Sequence, residues 1–258
     1  MHMADALISP VVGAAMWTAT AGLAVYSAKK VKKELDEHKV PLMGVLGAFI
    51  FATQMINFSI PGTGSSGHLG GAMILSILLG PYAAFLTIAS VLTIQALFFA
   101  DGGLLALGCN IFNLGFFPCF IAYPFVYKQM VGENPNQKKL LWASTLAAIV
   151  GLQLGAFSVV LETVYSGISE LPFGTFVLLM QPIHLAIGIV EGVATTAVIL
   201  FVWKERPENI RKAALSQPLG SLRIKPILVS LLLITLVTAG ALSWFASADP
   251  DGLEWSIA

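Results

Sequence analysis

The chain has 258 residues, of which 57% are hydrophobic and 11% charged, and its mean hydropathy is +0.83. Soluble domains carry roughly 25% charged residues, so this composition excludes a soluble enzyme or binding module. Fourteen Lys and Arg balance fourteen Asp and Glu, and a net charge of zero points to no nucleic-acid partner.

A bilayer core of about 30 Å needs about 20 apolar residues per helix. The sequence supplies such runs repeatedly, as continuous Gly- and Ala-rich stretches rather than the alternating segments of a β-barrel. In chain order they cover approximately 9–28, 40–60, 69–79, 81–99, 103–127, 140–163, 173–203 and 226–246. Breakers separate them: Gly80-Pro81, Asp101-Gly102-Gly103, Gly132-Glu133-Asn134-Pro135 and Arg206-Pro207. The fold class is therefore an all-α polytopic membrane protein. Residues 1–10 carry Asp5 and no Lys or Arg, which does not fit a cleavable signal peptide. The N-terminus is expected to persist.

All fourteen Lys and Arg fall in segments 29–39, 128–139 and 204–225. Short basic loops stay cytoplasmic, which places the N-terminus, the 61–68 loop and the acidic C-terminus outside. Were 69–99 one span, Lys128 would emerge on the wrong side. The chain must enter and return between Leu69 and Ala100, turning at Gly80-Pro81. Residues 69–79 reach only about 16 Å as a helix. They form a short tilted span or a re-entrant segment, buried against neighbours.

The chain begins Met1-His2-Met3-Ala4-Asp5. A free terminal dipeptide ending in His offers three nitrogens: the α-amine, the deprotonated His2 amide and the imidazole Nδ1. They close five- and six-membered chelate rings in one plane, which suits square-planar Ni(II) or Cu(II). His68, on the glycine-rich loop Pro61–Gly71, is the natural fourth ligand, because the topology puts it on the same side as His2. Glycines in that loop let backbone approach closely. The ordinary alternative is that each His is merely exposed. His38 lies in the basic loop and reads as solvated.

His184 and Glu191 are seven residues apart, hence on one helix face. Ionisable groups within a span usually face the bundle interior, where either interhelical pairing or function would account for them. Gln54 and Asn57 could brace the His68 loop from below, although interhelical hydrogen bonding is the commoner role of such residues. Gln95, Asn110 and Asn113 are further polar residues within spans. Cys109 and Cys119 read as small buried residues. Gly13, Ala14, Ala15, Ala19, Ala21 and Gly22 on the first span suit close helix contact.

With these residues in view, the chain resembles the NikM/CbiM family, the substrate-binding (S) components of energy-coupling-factor (ECF) nickel and cobalt transporters. The resemblance rests on Met1–Leu7, Ser65–Gly71, Leu79-Gly80-Pro81 and Phe98–Gly108, with His184 and Glu191. It implies a six-helix core at 40–203, preceded by an N-terminal metal-binding strand and extra transmembrane helix at 1–28. A basic cytoplasmic loop, 29–39, joins them, and a cytoplasmic linker, 204–225, leads to a C-terminal helix, 226–258, giving seven to eight membrane segments. It implies metal binding by Met1, His2 and His68, with Asp5, Gln54, Asn57 and Ser66 as candidate surrounding groups. The segment Pro250-Asp251-Gly252-Leu253-Glu254-Trp255 resembles the signature of the NikN/CbiN accessory subunit.

The resemblance further implies import through a prokaryotic cell membrane. Its cargo would be Ni(II), Co(II) being possible, and its partners a transmembrane coupling (T) subunit, two ATPase subunits and an accessory subunit. No GxxxxGK[ST] phosphate loop occurs in the chain, so ATP hydrolysis would fall to those partners. The start Met-His-Met-Ala-Asp leans to nickel, against a cobalt importer for cobalamin synthesis. An intramembrane metalloenzyme would need an HExxH-type motif, and none is present.

Overall fold

In a computed structural model, residues 2–33, 39–205, 207–208, 210 and 225–257 are described. Helix α1 (Pro10–Lys33) starts on a proline, whose missing N–H costs nothing at a first helical position. It crosses the later helix α5 (Leu107–Val131) so closely that a Cβ on Gly108 would lie 2.6 Å from the Trp17 nitrogen. Thr20 Oγ1 donates to the Gly108 carbonyl at 2.8 Å across this seam. Of the small residues on the first span, Gly13 is buried, against Leu105, while Ala14, Ala15, Ala19, Ala21 and Gly22 are exposed.

Helix α2 (Lys39–Gln54) ends before the apolar stretch does. Residues 58–60 instead form strand β1 (Phe58–Ile60), antiparallel to β2 (Ser65–Gly67), with Ser59 opposite Ser66. The reversal between them needs positive φ at Gly62 (78°) and Gly64 (70°), conformations open chiefly to glycine. This hairpin corrects the expectation of helix through residue 60: hydropathy alone does not separate a short buried strand from the end of a helix.

The chain then descends into the bundle. Helix α3 (Ala72–Leu79) has eight residues, every one of them buried, and is about 12 Å long. It cannot cross the bilayer alone and is packed on all sides by protein, as irregular backbone at membrane depth must be. Gly80, at φ 83°, turns the chain into Pro81, the first residue of α4 (Pro81–Phe99). This is the expected return at Gly80-Pro81.

Helix α5 winds as a π-helix over Phe112–Tyr127, the stretch that holds Pro118 and Pro124. Each proline removes an i→i−4 donor, and a looser winding is one way to pass them. Helix α6 (Gln137–Ser166) is capped by Asn136, whose side chain accepts from the Lys139 amide at 3.0 Å. It packs along α5 and α7 (Phe173–Glu205). Helix α8 (Lys225–Gly240) lies on α2 and is followed by a tail with a short helix, α9 (Gly252–Ile257).

Helices α1, α4, α5, α6 and α7 are long and apolar enough to cross a membrane, and α2 and α8 are shorter apolar helices. The chain is an all-α multi-pass membrane protein with one small hairpin. Cys109 and Cys119 are free and buried. Helix α1 runs on to Lys33, five residues beyond the apolar stretch that predicted it. Most of the 204–225 linker, with His38 and Met1, lies outside the described residues. Contacts tie His2, the hairpin, the 100–106 loop and the C-terminal tail together at one end. Lys30 reaches the rings of Tyr26 and Tyr82, beside the Gly80-Pro81 turn. His2, the 61–68 loop and the C-terminal tail thus share one end of the described bundle.

Candidate metal centre

The N-terminal strand is fixed by backbone pairing before any ligand chemistry is considered. Asn110, on α5, accepts from the Met3 amide at 2.7 Å and donates to the Met3 carbonyl at 3.1 Å. Gly103 N–H adds a bond to the same carbonyl at 3.0 Å, and the Asp5 carboxylate accepts from the Ala106 amide at 2.9 Å. Met3 is fully buried, so the strand is anchored by a side chain as well as by hydrogen bonds. Asp5 therefore clamps the strand to the 100–106 loop and does not line the cleft over the histidines.

His2 and His68, 66 positions apart in sequence, stand with ring centroids 4.8 Å apart. Two imidazoles held cis on one ion would have centroids about 4.5 Å apart, taking metal–nitrogen bonds of about 2 Å. His68 is 8% exposed; its Nδ1 pairs with the Leu69 carbonyl at 3.1 Å, which leaves Nε2 as the lone-pair nitrogen. Burial, reinforced by the neighbouring His2, pushes the His68 imidazole down to about 3, so it is neutral at physiological pH. The Nε2 atoms of both rings are buried and have no hydrogen-bond partner among the described residues.

His2 Nδ1 meets Asp101 Oδ1 at 2.7 Å. Burial alone would raise the Asp101 carboxyl, but the hydrogen bond and charge of His2 hold it below its ordinary value. The terminal chelate calls for Nδ1 on the metal. A chelate of that kind would exchange the Asp101 bond for a metal bond, by a turn of the ring about Cβ–Cγ. Among the described residues no group of three or more His, Cys, Asp or Glu is placed to hold a metal ion. A site here depends on backbone nitrogen, as the chelate does.

The two rings open on a cleft of about 480 Å³, also lined by Gln54, Asn57, Asp101, Asp251 and Glu254. Its floor is a polar brace. Gln54 Nε2 donates to the Gly70 carbonyl at 2.7 Å, and its Oε1 accepts from Gln95 at 3.0 Å. The Glu191 carboxylate accepts from the amides of Gly70 and Gly71 at 3.0 and 2.9 Å. Helices α2, α4 and α7 thus converge on the turn that follows His68.

His184 is fully buried, one ring nitrogen on the Met180 carbonyl at 2.8 Å, and it lines a small cavity with His68 and Asp251. Ser66 bonds the C-terminal tail rather than either histidine, its hydroxyl donating to the Asp249 carbonyl at 2.8 Å. Asn57 lines the cleft and accepts from the Ser247 amide at 2.7 Å. Sequence reasoning missed Asp101 and Asp251. Their one signal was that acids stand in outer loops without basic residues.

Fold and site together define a polytopic membrane protein with two imidazole candidates under an acidic cleft. The family described as "Cobalt uptake substrate-specific transmembrane region" matches residues 2–209, and the PDGLE domain matches residues 225–258. The chain belongs to this NikM/CbiM family: it is a membrane component of nickel/cobalt-type metal transport, not an enzyme. It is 34% identical to "Putative metal transport protein HQ_3621A" of Haloquadratum walsbyi, over 81% of this chain and 93% of that one. It is also 34% identical to "Putative fused nickel transport protein NikMN" of Archaeoglobus fulgidus, over 83% of this chain and 69% of that one. A solved structure described as a transition metal transporter superposes with a TM-score of 0.71 at 34% identity, covering 81% of this chain and 96% of the other.

Proposed function

We propose that the chain is the substrate-specific component of an ATP-driven ECF importer. It captures Ni(II) at the extracellular face in a square-planar site of four nitrogens: the Met1 amine, the His2 amide and imidazole, and His68 Nε2. The observation that carries this is the 4.8 Å approach of the His2 and His68 rings, with a buried, unpartnered Nε2 on His68. The carboxylates lining the cleft favour a cation over an anion. The extracellular assignment follows from the sequence, whose Lys and Arg all fall in segments 29–39, 128–139 and 204–225, by the positive-inside rule. Energy comes from two partner ATPases through a transmembrane coupling subunit, because the chain carries no phosphate loop.

Co(II) is the second reading, favoured by the family's description; the same four nitrogens can hold it. The deciding experiment adds a Gly-Ser-Gly-Ser leader before Met1 in the full chain and measures nickel affinity in detergent. A single added residue would itself build a four-nitrogen chelator ending in His; the longer leader turns the Met1 amine into an amide and opens its five-membered ring, and affinity falls at least 100-fold. His68→Ala weakens binding strongly while the thermal transition stays near wild type. Undiminished affinity in the extended chain sinks the terminal-amine site.

A further inference from the structure

The C-terminal tail does not hang from α8. Its start is pinned to the hairpin, the Ser247 hydroxyl lying 2.8 Å from that of Ser59. Its next residues run beside β2 on the edge away from β1. The Ser66 amide donates to the Pro250 carbonyl at 2.7 Å, and Ser66 pairs with Asp251 in a parallel bridge. Strand β2, which leads directly into His68, is thus held on one side by β1 and on the other by the tail.

The sequence Pro250-Asp251-Gly252-Leu253-Glu254 explains why the tail stays there. Asp251 Oδ1 accepts from the amides of Leu253 and Glu254 at 2.8 and 2.9 Å. Glu254 Oε2 accepts in return from the Asp251 amide at 3.1 Å. This reciprocal pair is a capping box, and it lets a six-residue helix, too short to be stable alone, hold its shape. Gly252 is required by contact: a Cβ there would lie 2.5 Å from Ile183 Cγ2 and 3.1 Å from His184 Cε1. Leu253 is 1% exposed and anchors the turn in the core. The buried His184, unassigned by the transport chemistry, forms part of this seat.

We propose that residues 247–254 form a self-capped plug that holds β2 and His68 in place, so that docking of the tail sets how long a metal ion stays bound. Asp251 acts here as a positioning residue, through its cap. The proposal deepens the metal-binding reading and rests on His68 being a ligand.

The test follows release of radioactive nickel from the full-length protein into excess chelator. Asp251→Ala, which deletes the cap, and Gly252→Val, which wedges the tail off His184, release nickel at least tenfold faster than wild type. Asp251→Ser keeps a good N-cap without the charge and restores release to within about threefold of wild type. A variant whose fold leaves this chain intact gives a second readout. In Ser59→Cys/Ser247→Cys, diamide closes a disulfide that tethers the tail. Release slows at least threefold, and phosphine reductant returns it to the starting rate. Unchanged release in Asp251→Ala and Gly252→Val, no rescue by Asp251→Ser, or identical rates in the oxidised and reduced double-cysteine protein each overturns the plug. A wild-type chain that retained no nickel would instead overturn the metal-binding reading itself.

Discussion

The Glu191 carboxylate, in the middle of α7, accepts the amide of Gly71 at 2.9 Å, while its second oxygen takes the Gly70 amide at 3.0 Å. One buried acid thus satisfies two backbone donors at the start of α3, where no intrahelical partner exists. An orphaned buried N–H costs about 1–3 kcal/mol. Glu191→Ala leaves two, and is expected to lower the thermal transition and weaken nickel binding together. Glu191→Gln keeps one acceptor and gives a smaller loss. A normal melt for Glu191→Ala in detergent would contradict this brace.

Asp101 is the hydrogen-bond partner of His2 Nδ1 and adds negative charge beside the candidate site. The carboxylate favours a cation in the cleft but must yield Nδ1 to the metal. Asp101→Asn removes the charge while keeping an acceptor, and is expected to weaken nickel binding about tenfold, measured by competition with a chelator, with little change in stability because the residue sits at the cleft.

The dependence on pH follows from which groups still hold protons. His68, pushed down to about 3 by burial, takes up no second proton between pH 8 and pH 5, so no proton competes with metal for its Nε2 there. The terminal amine, near 7.7–8.0 when unperturbed, and the His2 amide must each give up a proton, so binding weakens as pH falls. Affinity is expected to drop about tenfold per pH unit for each proton released. His68→Ala shifts the whole curve to weaker binding without flattening it. A flat profile from pH 8 to pH 5 would rule out amine and amide ligation.

Gly108 marks the closest approach of α1 to α5, its missing side chain facing the backbone of Met16 and Trp17. Overpacking a tight contact costs about 1–3 kcal/mol. Gly108→Val is expected to lower the thermal transition and, because α1 carries the N-terminal strand, to loosen His2 as well. Gly22→Val, where a Cβ meets nothing within 4 Å, is the matched control and leaves both measurements unchanged.

Hydropathy and charge made most of the bundle legible, because span length and loop charge are local properties. The turn at Gly80-Pro81 and the common end shared by His2 and His68 could be read from them. The hairpin could not, since Phe58 and Ile60 extend an apolar run without changing its composition. Placing Glu191 and His184 on one helix face was sound, but periodicity does not say which neighbour a face meets. Asp101, Asp5 and Ser66 took their roles from contacts at sequence separations of about 100 or more. The PDGLE segment gave a pattern whose physical content, a capping box and a glycine seat, emerges only once the tail is docked.

The bond between Glu191 and the Gly70–Gly71 turn also imposes an order on biosynthesis. Its acceptor lies 120 residues downstream of Gly71, so a chain leaving the ribosome places the His68 loop at the membrane with Gln54 and β1 beside it but without its Glu191 brace. At about 5–20 residues per second, that interval is about 6–24 s. A nascent chain stopped short of α7 carries both histidines but no settled loop. The proposed metal site is therefore completed late in synthesis, after its candidate ligands have been made.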